Sequence, residues 1–190
     1  MPTRAEAKYL TKKYPTKEYP TKEQPMAKKP SYIGLLNAIA NGERGGHELF
    51  KNWSASTPNK ELKTTLDMIA IREMEHSWAF EKRLNELGFD LRPAINKESQ
   101  KQAKFLKSSA SDEAKFASFG IGTKARKKSK AKPDSNPDRL LQILADKTID
   151  PQTGALMGRF ISEERDTGRA LLKAYRKTHA QKGKKKSQSG

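Results

Sequence analysis

Apolar residues recur at helical spacing in three long stretches of the chain. Between 58 and 87 a 4-3 rhythm runs Leu62, Leu66, Ile69, Glu73, His76, Phe80, Leu84, Leu87, the period of one buried helix face. Thr57-Pro58 puts a capping residue before proline at the first helical position. Gly88 supplies a stop, so the pattern predicts a helix over 58–87, roughly 45 Å long. Ser31 is placed to cap a first helix over about 32–53, with the stripe Leu36, Ala40, Glu43, His47, Phe50. Asp150-Pro151 opens a last helix over about 151–178. Its stripe is Leu156, Phe160, Glu163, Thr167, Ala170, Ala174 or, slightly rotated, Met157, Phe160, Glu164, Leu171, Tyr175. Asn136-Pro137 begins a short helix over about 137–147. Weaker helical stretches fill 97–119 around Phe105, Leu106, Phe116 and Phe119. No stretch has the period of a strand, so the class is all-α, an antiparallel bundle.

The polar interruptions of these stripes carry the chemistry. Glu43 and His47 break the first apolar face, Glu73 and His76 the second, and Glu163 or Glu164 the third. A buried unpaired carboxylate costs several kcal/mol or takes up a proton. Three helices turning carboxylates inward therefore call for a cation. The chain has no cysteine and three histidines, so a metal here is held by carboxylate and imidazole, a donor set suited to iron or manganese. Glu73 and His76, three residues apart on one face, form the pair that bundle di-metal sites present to one ion. Two alternatives need no metal: a buried ion-pair network, with Glu43 meeting Arg72 or Arg165, and a stripe differently phased. His47 reads as a hydrogen-bonded core histidine. Gly45-Gly46 either weakens the helix or admits a close neighbour.

At these residues the chain resembles the ferritin-like superfamily, in particular its rubrerythrin-like members, over about half its length. Glu43 in NGERGGHELFKNW is similar to the glutamate of that family's first helix. Glu73 and His76 in IAIREMEHSWAFEKRLNELGF are similar to the ExxH of its second. The segment IDPQTGALMGRFISEERDTGRALL extends the likeness, Glu163 or Glu164 matching the last glutamate. No histidine follows there, and Asp166 is the nearest substitute. A third-helix glutamate is missing: Asp138, Gln142 and Asp146 lie in one candidate helix, Glu98 and Glu113 in the other. The resemblance implies a four-helix-type bundle with extra short helices. It also implies a mono- or dinuclear iron (or manganese) site at Glu43, Glu73, His76, Glu163, Glu164 and Asp166, reacting ferrous iron with oxygen or peroxide. Ferroxidase, peroxidase and oxygenase roles all remain open. Two half-sites meeting across a homodimer would supply a complete ligand set. A cysteine-ligated rubredoxin centre is excluded.

Charge changes the picture at the edges. The chain of 190 residues carries +17. Residues 1–30, 124–133 and 173–190 together hold more than this total, leaving a nearly neutral body. Residues 1–30 contain five of the ten prolines and a repeated Tyr/Pro/Thr/Lys pentad, which predicts a disordered extended arm. The layout expected is this arm, a bundle over 31–178 with a basic loop at 124–133, and a disordered basic tail over 179–190. Lys124, Arg126, Lys127, Lys128, Lys130, Lys132, Lys182, Lys184, Lys185 and Lys186 are candidate polyanion contacts. Tyr9, Tyr14 and Tyr19 are candidates to stack on bases. These segments favour an alternative function: a non-enzymatic nucleic-acid- or ribosome-associated protein on a degenerate bundle. No apolar run is long enough to insert in a membrane, and the first residues lack a secretory pattern, so a cytoplasmic protein is expected.

Overall fold

The computed structural model describes residues 29–94, 96–122 and 147–187, with side chains as far as 180. Five helices occur among them: α1 (Ile33–Ser56), α2 (Lys60–Glu86), α3 (Lys97–Lys107), α4 (Asp112–Ser118) and α5 (Pro151–Ser187). No strand occurs among the described residues. The expected 137–147 helix, the loop 124–133 and residues 1–28 lie outside them, and with them Asp138, Gln142 and Asp146.

Local signals set the helix ends. The Asn59 side chain accepts from the backbone N–H groups of Glu61 and Leu62 at 3.0 and 3.1 Å. α2 therefore starts after Asn59, two residues beyond the expected Thr57 cap. Thr57 instead accepts from Asn59 N–H and donates to Asp112, fastening the α1–α2 turn to α4. At the other end Gly88 takes φ +81, which only glycine adopts freely, and Phe89 N–H returns to the Leu84 carbonyl at 2.9 Å. Tyr32, not Ser31, occupies the α1 N-cap position, without a side-chain cap bond. Asp150 caps α5 as expected, accepting from Thr153 N–H at 2.9 Å. α5 continues to Ser187, past the expected end near 178, and takes the backbone of Lys182, Lys184, Lys185 and Lys186 into the helix.

α1 and α2 form an antiparallel hairpin. α5 packs on α2, again antiparallel: Arg83 meets Asp150, His76 meets Glu163, and Lys177 reaches Glu61. α1 and α5 thus point the same way, with α2 between them. After α2 the chain turns back along α1, where the Asn37 and Asn41 amides bind the backbone of Arg92 and Ala94. α3 then lies beside α1, its Leu106 carbonyl accepting from Ser56 at 2.7 Å.

The apolar residues fall into two clusters. One holds Leu36, Ile39, Phe80, Leu84, Met157 and Phe160; the other holds Phe50, Trp53, Leu62, Leu66, Ile69, Phe116 and Leu171. Between them, at mid-height of α1 and α2 and about a third of the way along α5, lies a layer of polar residues.

Candidate metal centre

That layer contains the stripe-breaking residues of all three long helices. Glu73 and His76 are only 6% and 4% exposed, and Glu43 is buried beside them. From α1, Glu43 Oε2 lies 3.2 Å from His76 Nδ1. From α5, Glu164 Oε1 lies 3.6 Å from the same nitrogen. Glu163 approaches the opposite edge of the ring, its Oε2 2.7 Å from Nε2. Adjacent residues on α5 thus take the two nitrogens of one imidazole. Phe160 packs edge-on against the ring at 5.1 Å between centroids and fixes its plane. One ligand atom each from Glu43, His76 and Glu164 lies within 4.8 Å of the others, so the group could hold a metal ion.

The carboxylates of the layer raise one another, offset in part by Arg72. Burial, then the charges of Glu43 and Glu164, push the Glu73 carboxyl up to about 9, so it keeps its proton at neutral pH. Glu164 is also raised, first by burial and then by Glu43. Burial would lower His76, but hydrogen bonds to Glu43 and Glu163 and the neighbouring negative charge outweigh it and raise it. Glu163 moves down despite its partial burial, held by His76 and by Arg159, whose Nε donates to it at 2.9 Å. Among the described residues, Glu164 Oε1 is buried and accepts no hydrogen bond. Such an atom normally has a partner.

Gly46 explains how the layer fits. A β-carbon at this position would overlap the Glu73 carboxylate and lie 3.1 Å from its Cδ. The glycine therefore makes room for the acid across the α1–α2 interface, the close approach its sequence position suggested.

The remaining candidates fall elsewhere. Asp166 is half-exposed and pairs with Arg169 on its own helix. His47 takes the expected core role, with Nδ1 2.7 Å from the Ala70 carbonyl. Arg72 turns away from Glu43 to the Glu163 carbonyl and Thr167, and Arg165 is exposed. Glu98 pairs with Lys101 on the surface, and exposed Glu113 faces His179, so α3 and α4 add no carboxylate to the layer. The candidate polyanion residues Lys124, Arg126, Lys127, Lys128, Lys130 and Lys132 lie outside the described residues.

Of the outer wall of the site, periodicity marked Leu156 and Phe160 but not Glu75, Ala79 or Arg159. A cleft of about 250 Å³ between α2 and α5 is lined by Glu75, Ala79, Leu156, Arg159 and Phe160, with His76 and Glu163 also facing it. No helix among the described residues is long and apolar enough to cross a membrane. No family model matches the chain, and neither the curated proteins nor the solved structures contain a significant match to it.

Proposed function

We propose that this chain is an iron-binding protein of ferritin-like type that handles ferrous iron with oxygen or peroxide. Glu43, His76 through Nδ1, and Glu164 are the ligands. The observation that carries this reading is the buried Glu164 Oε1, which accepts no hydrogen bond yet lies in a group of donors all within 4.8 Å of one another. All-oxygen and imidazole donors suit iron or manganese. Glu73 adds a further carboxylate that would ionise once a cation offsets its neighbours. Bound iron would supply one-electron reduction of oxygen or peroxide.

The chain's own residues divide the other tasks. With an ion bound, Glu163 would accept the Nε2 proton of His76 and leave the Nδ1 lone pair for the metal, an arrangement common around metal-bound histidines. Arg159 holds Glu163 in place. Phe160, Met157 and Ile161 keep one side of the layer dry. The cleft beside His76 is smaller than the ~300 Å³ at which ordinary organic-ligand pockets begin, which favours a diatomic or peroxide-sized substrate.

The test is elemental analysis of the full chain expressed with added iron or manganese, beside a variant carrying Glu73→Ala and His76→Ala. Wild type should retain metal through gel filtration and the variant should lose it. Metal-free wild type sinks the proposal and leaves a buried imidazolium–carboxylate network as the role of the layer.

A further inference from the structure

The cleft between α2 and α5 has charged residues at its rims and reaches the polar layer at its floor. Glu75 stands exposed on the α2 rim. Arg159 and Glu163, one turn apart, stand on the α5 rim; the Arg159 side chain is 68% exposed and that of Glu163 27%. Glu163 is shared between outside and inside. Its Oε1 accepts from Arg159 Nε at 2.9 Å, and its Oε2 lies 2.7 Å from His76 Nε2. Beyond the ring, His76 Nδ1 faces Glu43 and Glu164. Between α1 and α2 the layer is closed by contact: Ser77 donates to the Ala40 carbonyl at 2.8 Å, and Gly46 sits against the Glu73 carboxylate.

We infer that this cleft is the route by which a divalent ion enters the layer, with Arg159 occupying the place of the incoming cation on Glu163 until it is displaced. This route presupposes the metal reading proposed above and concerns how that site is reached. Carboxylates on both rims of a narrow cleft draw cations in. Arg159 cancels part of that attraction, since Glu163 and Glu75 both act on its charge. The pair that closes the mouth is a weak one. An ion pair between residues four apart on an exposed helix face contributes little. The guanidinium therefore leaves readily, and a dication, with twice its charge, competes well for the same oxygen. The cleft, at about 250 Å³, has room for an ion with part of its water shell, at roughly 30 Å³ per water. An ion taken up by Glu163 next meets Glu164, its neighbour on α5, whose buried Oε1 accepts no hydrogen bond. Arg159 is thus an exchangeable counter-ion, and Glu163 is the neck between cleft and layer.

The test mixes the full, metal-free chain with cobaltous ion and follows its visible absorption. This ion binds nitrogen and oxygen donors at least as firmly as ferrous ion does. The chain has no cysteine, so Ala79→Cys puts a unique thiol in the cleft wall. Capped with a bulky methanethiosulfonate reagent, this variant should lose its fast uptake of cobalt yet reach the same end point. Removing the cap with a phosphine should restore the rate. Arg159→Gln should load about three- to tenfold faster than wild type, and Glu75→Gln slower by a similar factor. Equal rates with and without the cap overturn the route and send the ion past Glu164 between α1 and α5, with the metal centre itself left standing. A capped chain that binds less cobalt, instead of binding it later, also overturns the route, because the cleft then shapes the centre and does not lead to it. Arg159→Gln loading no faster than wild type removes the counter-ion from the inference. A wild type that takes up no cobalt removes the metal reading, and this route with it.

Discussion

Glu73 is the residue on which the polar layer turns, because it is a carboxyl held neutral between two others. In an unfolded chain it ionises near its ordinary 4.5; in the folded chain it keeps its proton to about 9. The native state therefore binds more protons than the unfolded state across that interval, and stability must fall as pH rises. The contribution is fully present below about 4.5 and lost as pH passes through about 9. His76, also raised, pushes the same way above its ordinary 6.5. Chelator-treated protein should therefore unfold at progressively lower urea concentration from about pH 5 to pH 9, whereas Glu73→Gln should flatten most of this slope. A slope unchanged in Glu73→Gln would move the responsible proton elsewhere. Glu43, Glu73 and His76 were all legible in the sequence because each interrupts an apolar stripe at the right phase. The choice between Glu163 and Glu164 was not. Neighbours on a helix point about 100° apart, and here an imidazole lies between them and uses both.

Among the elements, α5 depends most on one distant contact. Asp150 caps its first turn through Thr153, accepts from Tyr32 of the α1 N-cap, and receives Arg83 of α2 at 2.7 Å. Although partial burial opposes it, these bonds hold the carboxylate well below its usual range. Arg83 is buried, with its Nε donating to Thr153 and its other donors to Glu86 and Gln152. Asp150→Ala removes the cap and leaves a buried guanidinium short of a partner, so it should cost about 2 kcal/mol or more in urea unfolding. Asp150→Asn, which keeps the cap, should cost less. The Asp150-Pro151 start was readable because capping is local. Its links to Tyr32 and Arg83 were not, since they join residues 118 and 67 positions apart. Lys115 was hidden for the same reason. Its ammonium is buried against Ser56 and the Ser108 carbonyl, where no apolar period marks it.

The described residues form two apolar half-cores on either side of a charged layer. Lys173, Arg176 and Lys177 stand exposed on α5, and the helix carries the backbone of the following lysines outward to Ser187. The near-neutral body offers little to a polyanion, so binding by the full chain should come from residues 1–30, 124–133 and 173–190. It should ignore base sequence. On duplex DNA its logarithmic salt slope should be about −0.9 per phosphate neutralised, measured by titration at several salt concentrations. Removing residues 1–28 and 182–190 should flatten that slope while metal content holds; salt-insensitive binding by the shortened chain would place the contact on the helices instead. The bundle class was readable from periodicity alone. The division of its core into two was not, because both half-cores continue the same stripes and only the packing shows where polar residues part them.

The overlap that a β-carbon at position 46 would make with the Glu73 carboxylate also bears on descent. The two positions sit on different helices, 27 residues apart, yet they share one volume. A residue with a β-carbon at 46, even alanine with its better helix propensity, would make the Glu73 carboxylate move from its place in the layer. A lineage that loses the acid is released to fill the gap. Gly46 and Glu73 should therefore be kept or lost together among distant kin of this chain, and a kin sequence with the acid beside a bulky residue at position 46 would sink that expectation.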